Sequence, residues 1–294
     1  MQRLVETVTG RLFSALAVLL ACLPRRPAYW IGARIGDLAY LNLAKRRQIA
    51  LQNLEIAFGR EKTATQRRAI ARAAFRNLGE HLIDFSRMRR LTPDSFGSEV
   101  TLAGFERVHE LLARRAGLLI LSAHFGSWEL ASAIALRLTR PMHVIVRPLD
   151  NPALRHLVDA YRLYSGCSII PKRQALSASL KALRRGEIVA LLMDQSSLRR
   201  EGIPVPFFGR EAYTTTGPAL MALRSGCPVV GAFLVRQGPG KHRLEFSEEI
   251  PIQRSGNLRQ DVLDNTLRFN QLIEAQVRTY PDHWFWLHRR WKKR

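Results

Sequence analysis

From Pro93 onward the chain alternates short apolar runs with helical segments, and this alternation constrains the fold more than any other feature. It is the signature of an α/β domain whose strands are covered by helices. The apolar runs predict strands at 118–122, 144–147, 168–170, 188–193, 229–235 and 243–246. Between and around them, helices are expected at 104–115, 128–138, 152–165, 174–185, 215–225 and 258–279. No Gly-x-Gly-x-x-Gly follows a strand and no Gly-x-x-x-x-Gly-Lys-Ser/Thr occurs, so dinucleotide-binding and P-loop readings lose their main support. No internal repeat or low-complexity tract interrupts the pattern.

Everything before Pro93 reads as helical. Leu12 to Leu23 is an uninterrupted apolar run, flanked by Arg11 and by Pro24-Arg25-Arg26. It is short of the roughly 20 residues that a spanning helix needs. No A-x-A-like site follows it, as a cleaved signal peptide requires, and the Leu-Leu-Ala stretch before Cys22 is a poor lipoprotein box. With Arg25, Arg26 and then Lys45-Arg46-Arg47 on its cytoplasmic side, the run reads as a retained helix embedded in or tilted through the bilayer, a core helix being the alternative. Residues 1–26 are thus expected to be a membrane anchor, 27–92 a membrane-proximal helical region and 93–294 the α/β domain. Residues 27–58 predict one or two helices with Tyr29 and Trp30 at an interface. Residues 63–90 predict one long helix with the apolar stripe Ile70, Ala74, Leu78 and Leu82, beside Phe75 and Phe85. Arg67, Arg68, Arg72 and Arg76 lie off that stripe, as a solvated face or a headgroup contact.

At 47 % hydrophobic and 24 % charged, the 294 residues have the composition of a globular protein, which excludes a disordered or collagen-like chain. Forty-six Lys and Arg against 24 Asp and Glu leave a net charge of +22, spread along the chain. Such a charge calls for an anionic partner: nucleic acid, an acidic membrane surface or phosphorylated ligands. Cys22, Cys167 and Cys227 form no CxxC pair, so neither a disulfide framework nor a zinc ribbon is indicated, and all three read as small buried hydrophobes of a cytosolic chain.

The stretch LLILSAHFGSWEL, Leu118 to Leu130, carries the chemistry. A buried strand runs into His124 and, across Phe125-Gly126-Ser127, into a helix beginning near Trp128. His124 is thereby expected at a strand's C-terminal edge, where open α/β sheets bind ligands and the next helix offers free N–H groups. Glu129 follows five residues later. On an ideal helix, at ~100° per residue, that spacing sets the two side chains about 140° apart, so they meet only if a turn intervenes, which Gly126 permits. A histidine held by a carboxylate is fixed in one tautomer and made more basic, as a general base acting on a hydroxyl must be. The alternative is a satisfied histidine beneath a helix. There is no Gly-x-Ser-x-Gly elbow and no evident cysteine nucleophile, so a substrate hydroxyl is expected to attack directly. A metal site is not suggested, since no second His lies at i+4.

AHFGSWEL resembles the His-x-x-x-x-Asp/Glu motif of glycerolipid acyltransferases and, in its Glu form, the late acyltransferases of lipid A biosynthesis, the lauroyl and myristoyl transferases. Supporting matches run in order through VRPLDNP, LRRGEIVALLMDQ, VPFFG, TTTGPALMA and the terminal HWFWLHRRWK. The resemblance implies a glycerolphosphate acyltransferase-like fold, with a central mixed sheet flanked by helices. It implies His124 as base and Glu129 as its orienting partner, with Arg147, Arg162 and Asp194 as substrate-binding positions. Val146 stands where the family usually has tyrosine. The terminal Trp284, Trp286 and Trp291 interleave with His288, Arg289, Arg290, Lys292, Lys293 and Arg294. That pattern suits an interface of apolar surface and anionic headgroups, a single-stranded nucleic acid, or a packed aromatic end with a solvated basic tail.

The resulting expectation is an O-acyltransferase at the cytoplasmic face of a bacterial inner membrane. It would move a fatty acyl chain from an acyl carrier protein thioester to a hydroxyl of an anionic glycolipid, as the resemblance implies a lipid A precursor, with no cofactor and no metal. An acyl-CoA-dependent enzyme acting on a phosphoinositol mannoside or another phospholipid is the nearest alternative. A basic nucleic-acid-binding protein is the alternative of a different class, but no RRM signature, zinc finger or helix-turn-helix supports it, so no nucleic acid partner is expected.

Overall fold

The computed structural model describes residues 13–114 and 117–292. The start of the expected anchor, residues 1–12, and Lys293 and Arg294 of the basic terminus lie outside the described residues. Four helices open the fold: α1 (residues 13–22), α2 (Arg25–Asn42), α3 (Ala44–Phe58) and α4 (Ala64–Arg87). Thr63 starts α4 with a capping box, accepting from the Gln66 N–H at 3.2 Å while its own N–H donates to the Gln66 side chain at 2.8 Å. The chain continues through α5 (Pro93–Glu99), β1 (Val100–Ala103), α6 (Phe105–Ala113), β2 (Leu118–Ser122), α7 (Trp128–Ala131), β3 (Met142–Val146), α8 (Pro152–Tyr164) and β4 (Cys167–Pro171). It ends with α9 (Ala175–Arg184), β5 (Ile188–Leu192), β6 (Gly202–Phe207), β7 (Arg210–Thr215), α10 (Gly217–Ser225), β8 (Val229–Gly238), β9 (Lys241–Phe246) and α11 (Leu258–Thr279).

Seven strands form one sheet in the order β1-β9-β8-β2-β5-β3-β4. All neighbours pair in parallel except β8 and β9, so the sheet is mixed, as expected. Successive strand residues point to opposite faces, and both faces are dry. In β2, Leu119 and Leu121 join a core with α3, α4, α10 and α11, while Leu118 and Ile120 join a second core with α6 and α8. β8 divides in the same way, Val229 and Phe233 on one side, Val230 and Leu234 on the other. Helices therefore cover the sheet from both sides, and its central strands read as continuous apolar runs.

Two pieces depart from expectation. No strand was expected at β1, a short edge strand, or at the β6–β7 hairpin, which pairs antiparallel outside the main sheet. Phe208 and Gly209 make the hairpin's two-residue loop with φ of 52° and 69°. A loop with two positive φ values normally advertises itself as Asn-Gly or Asp-Gly. Here Phe208 occupies the strained position because its ring is buried against Phe58, Trp286 and Trp291. Cys22 is also exposed rather than buried, whereas Cys167 and Cys227 are buried as expected.

The helical region packs by glycine contact. A Cβ on Gly79 of α4 would lie 2.0 Å from the Gly32 carbonyl oxygen of α2, and one on Gly36 would meet the Phe75 carbonyl at 2.3 Å. Close approach brings Tyr29 inside, while Leu82, at one edge of the expected stripe, is 46 % exposed. Arg72 and Arg76 of α4 both pair with buried Asp37 of α2 at 2.8 Å, so part of the basic face bridges the helix pair while staying in contact with solvent. The Arg76 hydrogen bond is the chief reason that the Asp37 carboxyl is lowered to about 2. Among the described residues no helix is long and apolar enough to cross a membrane. Phe13, Leu16, Val18 and Leu19 on α1, and Trp30, Leu38 and Leu41 on α2, are nonetheless exposed.

Asp84 of α4 ties this helical layer to the sheet. It accepts hydrogen bonds from the Tyr29 and Ser127 hydroxyls and from Arg236 Nη2 of β8 at 2.6 Å, and His242 Nε2 of β9 lies 3.2 Å away. Arg236 Nη1 also reaches Glu80 at 3.0 Å. Burial penalises the Asp84 charge, but Arg236 and His242 outweigh it and hold the carboxyl far below its usual range. Breaking a buried pair leaves an uncompensated charge. Arg236→Met is expected to cost about 3–5 kcal/mol of stability, read as a clear fall in the thermal midpoint of the detergent-solubilised chain. An unchanged midpoint would show that this pair does not carry the junction.

Candidate active site

β2 is paired on both sides, with β8 and β5, and β5 is paired in turn with β3. These strands are parallel, so the segments bearing His124, Asp194 and Arg147 leave the sheet at one edge. After Ser122 the chain turns through Gly126, whose φ is +54° and whose Cβ would lie 1.9 Å from the Leu234 carbonyl oxygen. Only glycine fits there. The C-terminal segment then fixes the turn from outside: the Gly126 N–H donates to His283 O at 2.8 Å, and the Phe285 N–H donates to His124 O at 2.9 Å. The expected helix after the turn is one α-helical turn, α7, followed by a 3-10 segment over Ser132–Arg137.

His124 Nδ1 lies 2.8 Å from Asp194 Oδ1. The second oxygen of Asp194 accepts from the Trp284 indole N–H at 2.8 Å, and its side chain is 2 % exposed. Burial would raise the Asp194 carboxyl, but the adjacent imidazole and the hydrogen bonds from His124 and Trp284 lower it below its ordinary value. A carboxylate on Nδ1 makes that nitrogen the donor and leaves the lone pair on Nε2. The only side-chain hydrogen-bond contact recorded for Nε2 among the described residues is Gln195 Nε2, at 3.2 Å. Trp128 stands edge-on to the imidazole with centroids 5.4 Å apart, and the buried His81 of α4 stacks on Trp128 at 3.9 Å.

The expected pairing of His124 with Glu129 is replaced. Glu129 is gripped by Arg162 of α8 through two bonds, Nε to Oε2 at 2.8 Å and Nη2 to Oε1 at 2.5 Å. α7 starts at Trp128 and carries Glu129 to α8, while β5 delivers a carboxylate beside β2 from a point distant in sequence. Asp194 is likewise unavailable to substrate, being buried with both oxygens engaged, and the Arg162 charge is matched by Glu129 and by Asp159 at 3.4 Å. Arg147 differs: it is 76 % exposed, with a loose 3.6 Å contact to Asp150.

The terminal aromatic run is not a surface. Trp284, Trp286 and Arg290 are 2 %, 0 % and 0 % exposed. His288 Nε2 accepts from the Ser196 N–H at 3.1 Å, and Arg290 donates to Tyr213 O at 2.6 Å and to Thr214 Oγ1 at 2.5 Å. The segment is a strap that holds the loop after β5. Trp284, Gln195 and His288 escaped sequence reasoning; the density of tryptophan at the terminus was the one available sign of burial. Among the described residues no cluster of three or more His, Cys, Asp or Glu is arranged to hold a metal ion.

Comparison with known proteins covers nearly the whole chain. A profile of bacterial lipid A biosynthesis acyltransferases matches residues 3–293. The lipid A biosynthesis lauroyltransferase of Escherichia coli K12 is 30 % identical over 278 residues, covering 94 % of this chain and 89 % of that protein. The palmitoleoyltransferase of the same organism is 28 % identical over 275 residues, 92 % and 87 % of the two chains. A phosphatidylinositol mannoside acyltransferase of Mycolicibacterium smegmatis is 20 % identical over 226 residues, 76 % and 72 %.

Two histidines make the surroundings of the site sensitive to acid. Burial lowers both His81 and His288 from 6.5 to about 4. Between those values the unfolded chain binds protons that the folded chain does not, so stability falls as pH falls from about 6.5 towards 4. The thermal midpoint is expected to drop over this window. His81→Phe, which keeps a ring against Trp128 and removes a titrating group, is expected to flatten the drop. An unaltered slope in that variant would mean that His81 is protonated in the folded state.

Proposed function

The chain belongs to the bacterial lipid A biosynthesis acyltransferase family, and from that footing we propose that it moves a fatty acyl group from an acyl carrier protein thioester to a hydroxyl of a phosphorylated lipid A precursor. The observation that carries the chemistry is the His124–Asp194 pair, its Nε2 lone pair turned away from the buried carboxylate. The acceptor hydroxyl gives its proton to Nε2 as its oxygen attacks the thioester carbonyl carbon. Asp194 stabilises the imidazolium that results. Collapse of the tetrahedral intermediate expels the carrier thiolate, which takes the proton back from Nε2. Glu129 acts by tying α7 to Arg162 of α8, and exposed Arg147 meets the acceptor phosphate through a charge-assisted hydrogen bond. The +22 charge suits both an acidic carrier protein and an anionic membrane surface. The exposed apolar residues of α1 and α2 favour a seat on the cytoplasmic face of the inner membrane. Higher identity to the E. coli enzymes than to the mannoside acyltransferase favours the lipid A acceptor.

With carrier-protein and CoA thioesters offered beside lipid A precursors and phosphoinositol mannosides, product masses are expected to show transfer from the carrier thioester to the lipid A precursor. His124→Ala should lower the specific activity of the folded chain by about 10²–10⁴-fold, with a fall in the thermal midpoint as well, because buried Asp194 loses a partner. Asp194→Asn should also lose activity, and the double variant should cost much less than the product of the two losses. Folded His124→Ala with near-normal specific activity would overturn the base assignment. Arg147→Gln should lose more activity on a phosphorylated acceptor than on its dephosphorylated form; equal losses would remove Arg147 from the phosphate.

A further inference from the structure

Gln195 stands against the ring nitrogen that the proposed reaction makes the base. Its Nε2 lies 3.2 Å from His124 Nε2, and because the other ring nitrogen is committed to Asp194, the amide is the donor in this contact. The backbone is pinned on both sides of it. Asp194 is buried and doubly bonded, and the Ser196 N–H is bound to His288, whose burial keeps it neutral and able to accept. The backbone that carries the donor is thereby fixed by its neighbours before substrate binds, and only the side-chain amide has to move.

The resting contact gives way when substrate binds, since the acceptor hydroxyl requires the same lone pair. Reacting atoms meet at about 3–3.5 Å, so a donor displaced from Nε2 faces the space that the thioester carbonyl enters. The other donors close to the turn are committed or poorly built: the Gly126 N–H is taken by His283 O, Arg162 by Glu129, and α7 is a single turn. Arg147 is 76 % exposed on the exit of β3, the place of a phosphate contact rather than of a donor held against the imidazole. We infer that Gln195 is the oxyanion donor: its amide caps the lone pair of the base at rest and turns to the former carbonyl oxygen in the tetrahedral intermediate. In that step the acceptor O–C bond forms, the hydroxyl proton passes to Nε2, and the C=O π pair moves to the oxygen that Gln195 holds. As the pair returns, the C–S bond breaks and the thiolate takes the Nε2 proton. This inference rests on His124 being the base.

The test uses the full chain in detergent with a dodecanoyl acyl carrier protein thioester and a lipid A precursor. Gln195→Ala is expected to lower kcat by about 10²–10³-fold, with KM for both substrates nearly unchanged, as for removal of one oxyanion donor. Gln195→Glu keeps the size but is ionised at about pH 8, and should lose at least as much there. Dodecyl trifluoromethyl ketone, whose hydrate is tetrahedral, should bind each variant more weakly by the factor lost in kcat. The S-dodecyl carrier thioether, which has no carbonyl, should bind all forms alike. Full kcat in Gln195→Ala, or a raised acceptor KM at unchanged kcat, would overturn the inference. His124→Ala run in parallel separates the two readings. If it remains active, the base assignment fails; if it is inactive while Gln195→Ala is fully active, only the oxyanion role fails.

Discussion

The active-site geometry depends on one buried charge. Asp194 sits almost without solvent, and an ionised carboxylate is held in such a place only if its oxygens are hydrogen-bonded and a cation or a polarisable proton is close. Both oxygens are served, one by the His124 imidazole and one by the Trp284 indole. The two donors lie far apart in sequence: one in a turn after the central strand, the other in the strap around Trp284. The site therefore cannot form before that strap has docked. This explains why the strap also bonds to the backbone of the motif itself, at Gly126 and at His124.

Much of the scaffold could be read along the chain because its central strands are buried on both faces. Continuous apolar runs bounded by Gly, Pro and polar turns mark such strands, and every expected strand of the sheet falls where the structure has one, within a few residues. What escaped was set by tertiary contact. β1 is an edge strand of only four residues, too short to stand out as an apolar run, and the β6–β7 turn is held by burying Phe208 rather than by a turn-forming pair. The buried face of α4 follows small residues that let α2 approach, which a search for a hydrophobic stripe does not weigh.

The candidate site shows the same division. His124 was legible because strand, turn and helix are contiguous around it. Its partner was not, because parallel strands bring together residues far apart in sequence, so that Asp194 on the neighbouring strand's exit displaces the nearby Glu129. The motif's resemblance pointed to Glu129; register decided for Asp194. Glu129 is instead matched to Arg162 in a bidentate pair, the arrangement in which arginine gives most orientation for its charge.

Net charge alone also misleads about which cations meet substrate. Arg72, Arg76 and Arg236 are consumed by internal carboxylates, and Arg290 is fully buried with carbonyl and hydroxyl acceptors as its bonded partners. Burial lowers Arg290 to about 10, against the opposing field of Asp194. At that value it still carries its proton near neutrality, so the interior holds a fixed positive charge behind the carboxylate as well as the imidazole in front of it. In the proposed transfer, protonation of His124 places a second positive charge beside a carboxylate already oriented to receive it. Little reorganisation of the surroundings is then required, which is the condition under which a dry, preorganised site lowers a barrier. Arg147, by contrast, remains exposed, which is what the proposed contact with an acceptor phosphate requires.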